Sequence, residues 1–150
     1  MNKKILAIIV IIIAILIASF FFYTHNTMKV GNSYFVIPTG YHVIDEGDYI
    51  NLTSDINYMC LVKEAADENV NNSIDKYTNI KQVKENDTLK FSNFSSGDIE
   101  VIKSISNKNP KTFHYWFVKD GKTYEAFTWS GNPNSDTLLM NLIKTMKPAI

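Results

Sequence analysis

Lys111-Thr112-Phe113-His114-Tyr115-Trp116-Phe117-Val118-Lys119, then Asp120-Gly121, then Lys122-Thr123-Tyr124-Glu125-Ala126-Phe127-Thr128-Trp129: two alternating aromatic runs meet at an Asp-Gly pair. Both residues of a two-residue type I′ turn need positive φ, which Asp-Gly accepts, so the stretch predicts a tight β-hairpin. A two-residue loop fixes the register. Val118 faces Thr123, Phe117 faces Tyr124, Trp116 faces Glu125, Tyr115 faces Ala126 and His114 faces Phe127. One face then carries Phe113, Tyr115, Phe117, Tyr124 and Ala126; the other carries His114, Trp116, Val118, Phe127 and Trp129. Both faces are apolar, which places the hairpin centrally in a sheet covered on both sides.

On its C-terminal side, Asn132-Pro133-Asn134-Ser135-Asp136 is a capping cluster, and Leu138, Leu139, Leu142, Ile143 and Met146 follow on one helical face. Lys144 and Lys147 suit the negative end of that helix, and Pro148 stops it. On the N-terminal side, residues 98–105 predict a strand with Ile99, Val101, Lys103 and Ile105 on one face, ended by Asn109-Pro110, and residues 88–94 predict another. Residues 68–83 carry Val70, Ile74 and Tyr77 at helical spacing, with Ile80 and Val83 continuing the stripe. Earlier still, a strand over residues 34–37 is stopped by Pro38-Thr39-Gly40 and resumes over 41–44. The turn Asp45-Glu46-Gly47-Asp48 then leads into strands over 49–53 and 57–63. The fold class that results is α+β: an antiparallel sheet of about six to seven strands flanked by helices, an α/β/α sandwich, occupying residues 33–150.

The front of the chain differs in kind. After Met1-Asn2-Lys3-Lys4, nineteen uncharged residues run from Ile5 to Tyr23 with only Ser19 interrupting the apolar character. As a helix they span roughly 28 Å, the thickness of a bilayer's hydrocarbon core. The run is longer than the core of a cleaved signal peptide, and Leu16 or Ile17 stands where a cleavage site wants a small side chain. It reads as one transmembrane anchor, with a cleaved signal as the alternative. Lys3 and Lys4 put residues 1–4 in the cytoplasm by the positive-inside bias, so the domain faces outward from the cell membrane behind a polar tether, residues 24–32.

The strand order, together with Phe35-Val36-Ile37-Pro38-Thr39-Gly40-Tyr41 and the hairpin from Phe117 to Phe127 with its Asp-Gly turn, resembles the PsbP-like family over residues 33–147. The resemblance implies an antiparallel sheet sandwiched between helices, and a role in binding or assembly rather than chemistry. It carries over no functional residue.

Beyond the anchor, thirteen lysines stand against fifteen acids, a formal net charge of −2, and the chain has no arginine. A nucleic-acid partner wants a strong basic excess, so none is expected. Cys60 is the sole cysteine, which rules out an internal disulfide and a cysteine-based metal cluster; it lies in an apolar run and reads as a buried small hydrophobe. The acidic turn at residues 45–48 lacks the spacing of a calcium loop and reads as solvated. No nucleophile elbow, phosphate loop or zinc motif is present, and no catalytic, cofactor or metal residue is assigned.

The candidate ligand or partner face is His114 diagonally across from Glu125, with Trp116 and Trp129 beside them; the plain alternative is core packing beneath a helix. Sequons at Asn51, Asn71, Asn86 and Asn93 are candidate glycosylation sites, where composition alone gives roughly two. These readings favour an outward-facing binding or assembly module with another envelope or membrane protein as partner. The rival is a membrane-tethered hydrolase using His42 or His114 with a carboxylate.

Overall fold

The computed structural model describes residues 3–149. Helix α1 (Lys3–His25) leads through Asn26 into strands β1 (Thr27–Val30) and β2 (Ser33–Val36), followed by β3 (His42–Asp45), β4 (Tyr49–Thr53) and β5 (Tyr58–Val62). Helix α2 (Val70–Asn79) passes into a π-helical turn (Ile80–Lys84). Then come β6 (Leu89–Ser96), β7 (Ile99–Ser106), β8 (Phe113–Lys119), β9 (Lys122–Thr128), helix α3 (Ser135–Thr145) and the short β10 (Lys147–Pro148).

Seven strands form one antiparallel sheet in the order β3-β4-β5-β9-β8-β7-β6, so the hairpin is central, as its two apolar faces require. Its register is the one the Asp-Gly turn dictates, from Val118↔Thr123 to His114↔Phe127, with Asp120 and Gly121 both at positive φ. The α+β sandwich follows from the alternation of side chains. The face carrying Tyr115, Phe117, Tyr124 and Ala126 packs with Leu138, Leu139, Leu142 and Ile143 of α3 and with Met28, Val30 and Phe35, all in one buried core. The opposite face presents His114 and Trp116 to Tyr77 of α2.

Lys103 is buried on the core face of β7 because its charge is answered there. Its Nζ lies 3.8 Å from the Phe113 ring centroid and 2.8 Å from Asp136 in the first turn of α3, and Asp136 also accepts from the Tyr115 hydroxyl at 2.8 Å. Tyr115, deprived of water beside that carboxylate, is held well above the usual phenol range.

Three expectations need correction. The tether expected over residues 24–32 is nearly absent: α1 runs to His25, and residues 27–30 form β1, whose Met28 and Val30 alternate inward against β2. Two apolar positions are too few to register as a period, so the domain starts before residue 33. Pro148 does not merely stop α3. Lys147 and Pro148 pair with Tyr34 and Ser33 at a sheet edge, where a proline costs no ladder bond. The helix expected over 68–83 changes at Ile80 into the π turn, which rotates the stripe off the sheet and leaves Ile80 and Val83 exposed.

Candidate functional site: an aromatic pocket beside α2

β8 and β9 aim His114 and Phe127 at the α2 side as a cross-strand pair, and their rings stack at 6.0 Å. Asn69 caps α2 by accepting from the Asn71 amide, and the helix sets Tyr77 over His114 at 4.3 Å. Just past β9, Trp129 turns edge-on to Phe127 at 5.1 Å, and Tyr49 of β4 closes on both, at 5.3 Å from Phe127 and 6.3 Å from Trp129. The result is a file of aromatic rings from Tyr49 to Tyr77 across the sheet. A pocket of about 250 Å³ opens along it, lined by Tyr77, Lys81, Thr112, Phe113, His114, Phe127, Thr128 and Trp129.

Of the four residues read as a candidate face, His114 and Trp129 line this pocket. Glu125 stands behind His114 and holds its Nε2 at 3.0 Å. Trp116 is fully buried, packed against His114 and Tyr77, and belongs to the core behind them rather than to the pocket lining. Phe127 was legible on the same face. Tyr77 and Lys81 were not, because the sequence cannot say where along the sheet a helix lands.

Burial depresses the His114 pKa, and the hydrogen bond to Glu125 only partly offsets it, so the ring is neutral at pH 7 and donates its Nε2 proton to the Glu125 carboxylate. Burial pushes Tyr77 up to about 12, with Asp87 and Glu85 adding to it. Cys60 is fully buried; loss of water pushes its thiol up to about 11 despite the Trp129 indole beside it, so it is protonated and unreactive. His42 sits apart from the pocket, on the exposed edge strand β3 opposite Thr53.

The chemistry on offer is that of recognition. Trp129 remains 54% exposed at the pocket mouth, an amphipathic ring able to cover an incoming apolar group. Lys81 reaches the rim from the π turn, where it pairs with Glu85 at 2.8 Å. Among the sequons, Asn71 and Asn86 are exposed on and after the helical segment, Asn93 bonds Glu100 across the β6–β7 pair, and Asn51 faces the sheet surface half-buried. Among the described residues, no three His, Cys, Asp or Glu side chains gather closely enough to hold a metal ion. No protein-family model and no curated protein matches this chain.

Proposed function

We propose that this protein is a single-pass, membrane-anchored binding module, an accessory or assembly subunit that engages another envelope or membrane protein through the aromatic pocket. The observation that carries the reading is α1. Its apolar window, Lys4–Phe22, is nineteen residues long with none of it buried, so its surface finds no cover in the folded domain. A helix of this length and composition suits a membrane anchor or a secretion signal, and the lysines before it favour an anchor with a cytoplasmic N-terminus. The domain then stands outside, with Asn71 and Asn86 open to glycosylation where the host attaches glycans.

The pocket supports binding over catalysis. Its histidine is neutral, committed through Nε2, and wedged between the rings of Tyr77 and Trp116. The hydrolase reading keeps one support, the His114–Glu125 pair itself. The net charge of −2 and absence of arginine favour a protein partner over nucleic acid. The resemblance to PsbP-like proteins is part of this proposal, supported by the sheet held between helices and by the strand order.

Protease applied to intact cells tests the topology. We expect digestion of the domain beyond residue 26 with the α1 fragment retained by carbonate-washed membranes. A domain that survives until the cells are permeabilised, or a chain found free in the medium, overturns the anchored, outward reading.

A further inference from the structure

The two helices that cover the large sheet are held to it by different means. α3 buries Leu138, Leu139, Leu142 and Ile143 in the core and bonds directly to strands. Asp136 takes Lys103 and Tyr115, the Met140 carbonyl accepts from Ser96 Oγ at 2.9 Å, and Thr145 Oγ1 accepts from the Val36 amide at 3.1 Å. α2 makes no such bonds. Ser73 is its one buried residue, the π turn after it has none, and no α2 residue belongs to the buried core. Among the described residues, nothing in the segment 69–86 makes a hydrogen bond or ion pair with a strand. Its hold is the Tyr77 ring, 4.3 Å from His114 and 5.2 Å from Trp116, with Val70 and Ile74 half-buried beside it.

Bonds to the strands come only at the two ends of that segment. Before it, Ala66 exchanges backbone bonds with Thr123 at 2.8 and 2.9 Å, and the Glu68 carbonyl accepts from Thr123 Oγ1. After it, the buried Asp87 carboxylate accepts from Ser106 Oγ and from the Asn107 amide. Between these ends, the contact is polar where water is shut out. Trp116 Nε1 and Ser104 Oγ are buried without a protein partner, as is Thr78 Oγ1 on the helix itself. Ser104 lies opposite His114 in the β7–β8 register, on the face that meets α2. A buried polar group with no partner is costly, and renewed contact with water removes that cost, so these three atoms favour a raised helix. α2 has little of its own to set against this: ten residues are too few for a helix to be stable alone, and Asn71, Asn72 and Asn79 are poor helix formers.

We infer that α2 and the π turn form a flap over the aromatic pocket, residues 69–86, which lifts from the sheet as a unit between hinges at Glu68 and Asp87 while the rest of the domain stays folded. Tyr77 and Lys81 line the pocket from the flap, and the other lining residues belong to β8, β9 and their ends. Lifting therefore removes one wall and uncovers Trp116. It turns a pocket of about 250 Å³ into an open aromatic face running from Tyr49 through Phe127 and His114 to Trp116. The core on the α3 side keeps its packing, which makes the opening local. The opening stands on packing within this chain; its use, admitting a larger part of a partner than the closed pocket holds, rests on the reading of the pocket as the docking site.

Hydrogen exchange of the full chain in lipid vesicles, read by mass spectrometry with no partner added, tests the flap apart from any reading of its use. Amides of residues 72–84 are expected to be about 100-fold less protected than those of residues 139–145, which open only with the whole domain. Equal protection overturns the proposal. Fraying of α2 in place also speeds exchange, so Trp116 supplies a second readout. In Trp129→Phe it is the sole tryptophan, and acrylamide is expected to quench it under native conditions through the raised form. Trp116 fluorescence that resists acrylamide until the domain unfolds overturns the flap. Ser96→Ala separates local from global opening, because it removes a bond to α3 from the closed and raised forms alike. Protection of residues 139–145 is expected to fall several-fold while that of residues 72–84 stays as it was; an equal fall in both means that α2 opens only with the whole domain, which overturns the inference.

Discussion

At the residue scale, His114 shows how surroundings rather than identity set a side chain's chemistry. Its folded pKa lies below the ordinary value near 6.5, so the unfolded chain binds the proton more readily than the folded one. Its contribution to stability is therefore complete above about pH 6.5 and is lost as pH falls below that, until the buried ring itself protonates. Urea unfolding at pH 7.5 and 5.5 should show the wild-type chain losing stability on acidification, and His114→Gln, which keeps a neutral donor, losing distinctly less. Equal losses would mean that His114 is not the titrating group. The partnership with Glu125 was legible, because the Asp-Gly turn fixes which residues lie diagonally across the hairpin. The burial of Trp116 is the plain alternative read from the sequence, core packing beneath a helix, in a sheet covered on both sides.

At the scale of elements, α3 is held to the sheet by more than its leucines. Asp136 in its first turn takes both the Lys103 ammonium and the Tyr115 hydroxyl, and it sits at the positive end of the helix dipole. Removing it strands a buried lysine, so Asp136→Ala should cost about 2–4 kcal/mol in chemical denaturation. Adding Lys103→Met should recover much of that loss, and a double variant no better than the single would contradict the arrangement. Lys103 was placed correctly on the apolar face of its strand, although its counter-ion lies 33 residues away and no local pattern announces it. Long periodic elements were legible for the same reason that they are stable: the hairpin, β7 and α3 repeat their apolar positions often enough to be counted. β1 and β10 exist through partners supplied by the tertiary fold, and the π turn through a change of hydrogen bonding that leaves no mark on residue spacing.

At the scale of the whole molecule, an uncovered apolar helix is joined to a domain with an aromatic pocket on the α2 side of its sheet. The helix was plain in the sequence because a domain of this size cannot hide nineteen consecutive uncharged residues, Ile5 to Tyr23, of which only Ser19 is polar in character. The pocket was half legible: His114 and Trp129 could be named, whereas Tyr77, Lys81 and the volume between them depend on where α2 docks. Trp129 joins these readings, since it is both the exposed ring at the pocket mouth and the end of the deciding hairpin stretch. Gentle purification of the full chain from its native membrane, beside Trp129→Ala, tests whether the pocket is where a partner is held. The account predicts a protein retained in near-equal amount by the wild-type chain and lost, at unchanged domain stability, from the variant; a wild-type chain that purifies alone, or a partner retained equally by both, would contradict it.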